Sequence, residues 1–163
     1  MVSIAASLAR FYIKKGRAVG FVGQGEVLHH LPPDRGFRQM GKFLETLALC
    51  SASGNTSYPV LLSTHAHYLP RGSVIILITP STQPELAVNV DLLLRMSLYP
   101  IIVLLDNESF GGVAGSDHLA LSIQSMGVPV YRVRNGVDLD DVLNTGWFPT
   151  ILTHPVNERT AVL

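Results

Sequence analysis

The chain has 163 residues, 47% of them apolar, and its twelve Lys and Arg balance twelve Asp and Glu. That length and apolar share suit one globular domain with a sizeable core. The neutral balance supplies no field for nucleic acid or an anionic membrane surface, and the aliphatic runs Val74 to Ile78 and Ile101 to Leu105 fall far short of the roughly 20 residues that span a bilayer.

The chain opens on an amphipathic helix, Ser3 to Lys15. Ile4, Leu8, Phe11 and Tyr12 form one stripe, with Arg10, Lys14 and Lys15 off it, and Gly16 closes it. Arg17 to Gly23 reads as a buried strand, broken at Gly23-Gln24-Gly25 before a short Val27 to His30 segment that is an edge strand or an extended return. Pro32-Pro33-Asp34 punctuates next. Asp34 is placed to cap a helix whose stripe is Phe37, Met40, Leu44, Leu47 and Ala48, running to about Cys50. After a small-residue loop from Ser51 to Ser57, Pro59 to Tyr68 is predicted helical, with Leu61, Leu62, His65 and Tyr68 or Leu69 inward.

Pro70-Arg71-Gly72 turns the chain into Ser73 to Thr79, a β-branched and aliphatic run without alternation, as expected of a strand covered on both faces. Thr82 to Glu85 has capping-box spacing for a helix reaching about Ser97. Pro100 to Asp106 is a second buried strand. Beyond the Gly111-Gly112 and Gly115 loop, Ser116 is placed to cap a helix carrying Leu119, Ala120, Ile123 and Met126, closed by Gly127 in the left-handed region. Val128 to Val133 is a further strand, and Asp138 caps a short helix to about Asn144. This alternation predicts an α/β domain over residues 1–145, with a mostly parallel sheet and helices on both faces. Residues 146–163 form a tail, extended or partly disordered.

Several residues invite a chemical reading. Gly23-Gln24-Gly25 follows a strand as a dinucleotide fingerprint would, but its third glycine is absent and Leu31-Pro32-Pro33 blocks the receiving helix. His29-His30 and His65-x-His67 lack the spacing and acidic or cysteine company of a metal site. No glycines of a nucleophile elbow surround Ser122 or Ser125. The lone Cys50, which rules out an internal disulfide and suits a reducing, cytoplasmic setting, ends a helix stripe and reads as an inert thiol. Arg10, Lys14, Lys15 and Arg17 cluster at one helix end, where cations complement the dipole; an acidic partner would suit them too. Asp106, Asn107 and Glu108 lie past the carboxyl end of a strand, where open α/β sheets place ligands, although such residues also serve simply to leave a strand.

Ser7-Leu8-Ala9-Arg10 leading into Gly16-Arg17-Ala18-Val19-Gly20, Gly36-Phe37-Arg38 opening the long helix, and Leu69-Pro70-Arg71-Gly72-Ser73 leading into Ile78-Thr79-Pro80 form an ordered set. The set resembles the bacterial domain of unknown function 58 family, over roughly Ile4 to Leu143. The resemblance implies a von Willebrand factor A-like three-layer sandwich and a membrane-tethered parent encoded near MoxR-type AAA+ ATPases. In such domains the first helix follows a central strand ending in a metal motif, Asp-x-Ser-x-Ser. Neither strand nor motif precedes the opening helix, so the first central strand is expected to be absent and Met1 to be a fragment boundary or a shortened start. Thr56 matches the second-helix threonine of those metal sites, but Thr79-Pro80 stands where their aspartate would be. A hard cation without those carboxylates is poorly held, so no metal and no cofactor are expected.

The sequence therefore points to a non-catalytic protein-interaction domain with a protein partner of the MoxR class. Its candidate contact residues are Gln24, Glu26, Thr56, Thr79, Asp106, Asn107 and Glu108. The alternative is a small-ligand binder or hydrolytic enzyme using the loops around Thr79 and Asp106. The absent strand carries a physical expectation of its own. The Arg17–Gly23 and Ser73–Thr79 strands must pair directly, or another strand must fill the slot between them, from the tail near Thr150 to Thr153 or from another chain, which opens a route to strand-mediated self-association.

Overall fold

A computed structural model describes residues 1–51, 53, 57–137 and 161–162. Helix α1 (Val2–Lys14) buries Ile4, Ala5, Leu8, Ala9 and Tyr12, the predicted stripe with the two alanines added. Phe11 sits at the margin and takes the Lys15 ammonium over its ring at 4.3 Å.

Strands β1 (Val19–Gln24) and β2 (Leu28–Asp34) pair antiparallel as a hairpin. The prolines expected to end this region lie inside β2 instead. They are tolerated because β2 is the sheet's edge, where no neighbour needs their missing N–H. The ladder shifts register between Val19 and Phe21, and a buried glutamine of the next helix bridges the irregularity. The Gln39 amide donates to the Val19 carbonyl at 2.7 Å and the Pro32 carbonyl at 2.9 Å.

Asp34 does not cap helix α2 (Phe37–Leu49). It ends β2 and accepts the Arg35 N–H at 2.7 Å, and the helix starts after Gly36 at φ 85°. The buried face of α2 is Gln39, Phe43 and Leu47, whereas Phe37 is 91% exposed and Leu44 47% exposed. The helix is thus rotated from the predicted stripe. This rotation sets Phe43 edge-on to Phe21, with centroids 5.5 Å apart, and brings Gln39 under the hairpin.

Helix α3 (Tyr58–Ala66) stops before Tyr68, which is 82% exposed rather than inward, while Leu62 and Leu69 pack on the core. Strand β3 (Val74–Thr79) is buried almost throughout. Thr82 makes no cap for α4 (Glu85–Arg95); turns in which Thr79 Oγ1 accepts the Ser81 N–H and Ser81 Oγ the Gln83 N–H lead into it. The helix ends short of Ser97, which sits at φ 60° with its carbonyl accepting the Gly72 N–H.

After β4 (Tyr99–Leu105) and a 3-10 turn at Asn107–Phe110, α5 (Ser116–Ser125) buries Leu119, Ala120 and Ile123. Ser116 is its first residue rather than its cap, Met126 is 38% exposed, and Gly127 closes the turn at φ 78° as predicted. Strand β5 (Val130–Val133) follows. The helix expected after Asp138 and the segment Thr150 to Thr153 lie outside the described residues.

A last strand, β6 (Ala161–Val162), completes a sheet of order β2-β1-β6-β3-β4-β5, in which every pairing except β1 with β2 is parallel. Side chains alternate across a strand, so β3 and β4 feed two cores. Ile76, Ile101 and Val103 join α1 and α2 on one face, and Ile75, Leu77, Ile102 and Leu104 join α4 and α5 on the other. The fold is α/β, with helices covering both faces of a mostly parallel sheet. Among the described residues no helix is long and apolar enough to cross a membrane.

Candidate functional site

The chain runs outward from β1 to edge strand β2, then crosses to β3 and runs outward again through β4 to β5. The direction of winding therefore reverses between β1 and β3, the position at which open α/β sheets bind their ligands. The tail strand β6 occupies that position, but only at one end. Ala161 pairs with Val19 and Val74, and Val162 with Gly20 and Ile75. Beyond that level, β1 continues to Gln24 and β3 to Thr79 with no strand between them among the described residues.

A cavity of about 380 Å³ begins where β6 stops. It touches every residue from Phe21 to Gln24 on β1 and from Ile75 to Ile78 on β3. Successive strand residues point to opposite faces, so a space that meets consecutive residues on two strands lies in the plane of the sheet. Its remaining walls agree, because Ala5 and Leu47 come from the α1–α2 layer and Leu62, Ala66 and Leu93 from the opposite layer. The cavity is a slot one strand wide, roofed and floored by helices. Exposed Met1, Val2 and Ser51 stand at its rim.

The walls are chiefly hydrocarbon, with polar atoms from Gln24, Cys50, Ser51, Tyr58 and His65. Burial pushes the Tyr58 phenol and the Cys50 thiol upward, keeping both protonated at neutral pH. Cys50 Sγ bonds the Thr46 carbonyl at 3.4 Å, a local helix contact consistent with an unreactive thiol. The His65 ring stacks on His30 with centroids 6.1 Å apart, joining one histidine from each pair singled out in the sequence. Gly25 sits in the hairpin turn, where a Cβ would lie 2.9 Å from the Ser51 carbonyl oxygen. The sequence feature that resembled a nucleotide fingerprint instead lets the hairpin touch the loop after α2.

The candidate residues divide between this slot and a second cluster. Gln24 lines the slot and donates to the Gly25 carbonyl, and neighbouring Glu26 is exposed with its N–H on Ser51 Oγ at 3.4 Å. Thr79 is 2% exposed at the end of β3. Thr56 lies outside the described residues. Asn107 donates to the Pro80 carbonyl at 2.7 Å, tying the loop after β4 to the loop after β3, and Glu108 is exposed.

Asp106 is held by two arginines that the sequence alone did not single out and by Ser116, expected there as a helix cap. Its carboxylate meets Arg134 Nε at 3.1 Å and Arg132 at 3.4 Å, and accepts from Ser116 Oγ at 3.4 Å. Arg132 also bonds Ser116 Oγ at 3.1 Å and pairs with Asp117. The backbone repeats the connection, with the Asp106 N–H on the Val133 carbonyl. Arg132 and Arg134 lie two apart along an extended segment and so share a face, a signal present in Tyr131-Arg132-Val133-Arg134 but uninterpretable without knowing which strand lies alongside. The cluster fastens β4, α5 and β5 together. Asp106 is a carboxylate already engaged by two guanidinium groups, which suits anchoring better than proton transfer.

No family model, curated protein or solved structure matches the chain.

Proposed function

We propose that the chain is a non-catalytic protein-interaction domain built on a von Willebrand factor A-like scaffold, acting with a MoxR-type AAA+ ATPase. One observation carries this reading. The apolar slot lies between two parallel strands at the sheet's switch point, where open α/β sheets place their ligands. Counting the place between β1 and β3 as a first strand, the order across the sheet becomes 3-2-1-4-5-6, that of doubly wound α/β folds. The rim of the slot and the neighbouring strand-end loops supply Gln24, Glu26, Asn107 and Glu108 as contact groups, while Thr79 is buried. The Asp106 cluster, neutralised internally, braces them.

The test is retention of a purified MoxR-type ATPase from the same genome on the immobilised chain, with and without ATP. Glu26→Lys and Glu108→Lys, both exposed substitutions, are expected to weaken retention while leaving the thermal midpoint unchanged. No retention of the ATPase in either nucleotide state would remove this partner.

A further inference from the structure

The chain's neutral total conceals an uneven layout of charge. β1, β3 and β4 run parallel to one another through β6, so their starts share one end of the sheet and their finishes the other. Exposed Glu26, Glu85, Glu108 and Asp117 stand in the turns past the strand finishes or in the first turns of the helices that follow. The cations gather at the opposite end. α1 stops at Lys14 just before β1, β2 returns to that level with Asp34 paired to Val19, and α2 starts there at Phe37 and packs against α1. Arg10, Lys14 and Lys15 near the end of α1, and Arg35, Arg38 and Lys42 around the start of α2, are six exposed cations. None of them is in an ion pair among the described residues. The described acids beside them are Asp34, whose carboxylate accepts the Arg35 N–H, and Glu45.

Helix stability does not account for this arrangement. Lys14 and Lys15 suit the C-terminal dipole of α1, but Arg35 and Arg38 stand at the N-terminus of α2, where the dipole favours acids and the first turn holds none. On that same turn Phe37 is 91% exposed, and Leu44, two turns further along the helix, is 47% exposed. An isolated exposed apolar residue needs no explanation. One set among cations that its own helix disfavours does. We propose that this end of the molecule docks on an anionic phospholipid surface, with the cations among the headgroup phosphates and the Phe37 ring at the boundary between headgroups and acyl chains.

Composition selects a lipid surface over other anionic partners. A protein interface has an apolar core from which charged residues are depleted, whereas here the cations outnumber the exposed apolar side chains. Single-stranded nucleic acid binds on successive aromatic platforms, and Phe37 is the one exposed aromatic of α1 and α2. The phosphate backbone of a duplex offers no apolar layer to such a ring. A small anion needs donors converging in a pocket, and the slot and the smaller cavity between α4 and α5 are lined by none of these cations. A headgroup layer asks only for what this end supplies: cations spread over a surface, each adding attraction close to anionic lipid, and an apolar group free to reach the acyl boundary. Glu26 and Glu108, the groups tested against the ATPase, stand at the other end of the sheet, so lipid binding and ATPase retention are independent readouts.

The experiment mixes the whole chain with vesicles of phosphatidylcholine, or of phosphatidylcholine with about one-third phosphatidylglycerol, and reads the bound share by co-flotation. Binding to the anionic vesicles is expected to be at least about tenfold tighter than to the neutral ones, and to be largely lost at about 0.5 M salt. Arg38→Gln is expected to weaken it about fivefold, and Arg35→Gln combined with Arg38→Gln at least about tenfold. Arg95→Gln, the same change of charge on the opposite helical layer, is expected to leave it unchanged. Phe37→Ala is expected to weaken binding about fivefold while keeping its salt dependence. Arg38→Glu is expected to abolish binding and yet raise the thermal midpoint, since an acid suits that helix start. Equal binding to both kinds of vesicle would overturn the proposal, as would no binding up to about 1 mM accessible lipid or an equal loss in Arg95→Gln. Loss of binding only in variants whose thermal midpoint also falls would assign these residues to the fold and overturn it too. Tighter binding to a DNA oligonucleotide or a poly-glutamate peptide than to the anionic vesicles would give the face to that partner instead. Binding that appears only once Asp138, Asp140 and Asp141 are changed to Asn would give it to the chain's own acidic run.

Discussion

Asp106 illustrates how much a single side chain means only in company. In the sequence it is an acidic residue leaving a strand, open to binding, catalysis or a plain turn. In the fold, its carboxylate draws Arg132, Arg134 and Ser116 together, and its burial at 6% exposure makes those contacts stronger than surface pairs. Asp106→Ala removes the acceptor shared by Arg132, Arg134 and Ser116 and leaves Arg132, whose Nε is buried with no partner among the described residues, with Asp117 alone as counter-charge. The expected cost is about 1.5–3 kcal/mol, read as a lowered urea midpoint with an unchanged slope. A catalytic Asp106 would instead leave stability nearly intact.

Ser97 offers the opposite sign. Its φ of 60° places a residue with a Cβ in the left-handed region just past α4, where glycine is the ordinary choice. Ser97→Gly is expected to raise stability by up to about 1 kcal/mol, measured as a higher thermal midpoint.

At the scale of elements, the strands were the most legible. Val74–Thr79 and Tyr99–Leu105 are unbroken aliphatic runs, and such runs have few fates other than a strand covered on both faces. Helix faces were less legible. The α2 sequence offers Phe37, Leu44 or Phe43 as inward groups, and which of them turns inward depends on Phe21 and on the register shift that Gln39 bridges, both contributed by a hairpin distant in sequence. Helix starts misled for a related reason. Asp34, Thr82 and Ser116 are all good caps by type, yet each is used elsewhere: in the β2 strand, in the turns before α4, and in the Asp106 cluster.

The least legible element was β6. Two residues carry too little pattern to be read as a strand, and the slot that accepts them exists only once β1 and β3 are in place. Because both edges of β6 are bonded, Val162→Pro deletes a donor from the middle of the sheet. It is expected to speed exchange at neighbouring Gly20 and Ile75 amides by at least about tenfold and to lower the thermal midpoint. Unchanged exchange there would show that β6 contributes nothing to the ladder in solution.

For the molecule as a whole, the two cores meet solvent conditions together through three tyrosines. Burial pushes Tyr131 up to about 12 and raises Tyr12 and Tyr58 further still, Tyr12 with help from neighbouring Tyr131. An unfolded chain ionises its phenols near pH 10. The native state therefore holds protons that the unfolded state releases. Their contribution to stability is intact below about pH 10 and is lost as pH rises toward and beyond about 12. Alkaline titration is expected to show phenolate absorbance from these residues arriving late, together with unfolding, while the urea midpoint falls steadily above about pH 10.

The sequence by itself determined the class of fold, the order of helices and strands, and the neutral, core-rich character of the chain, because hydrophobic period and turn chemistry act over a few residues. Only the tertiary structure decided which strands stand side by side at the centre of the sheet. Over Ala161–Val162, β6 pairs with β1 on one side and β3 on the other. Strand partners, slot width and the Asp106 cluster are set by contacts between segments far apart in the chain, and no local pattern in the sequence encodes them.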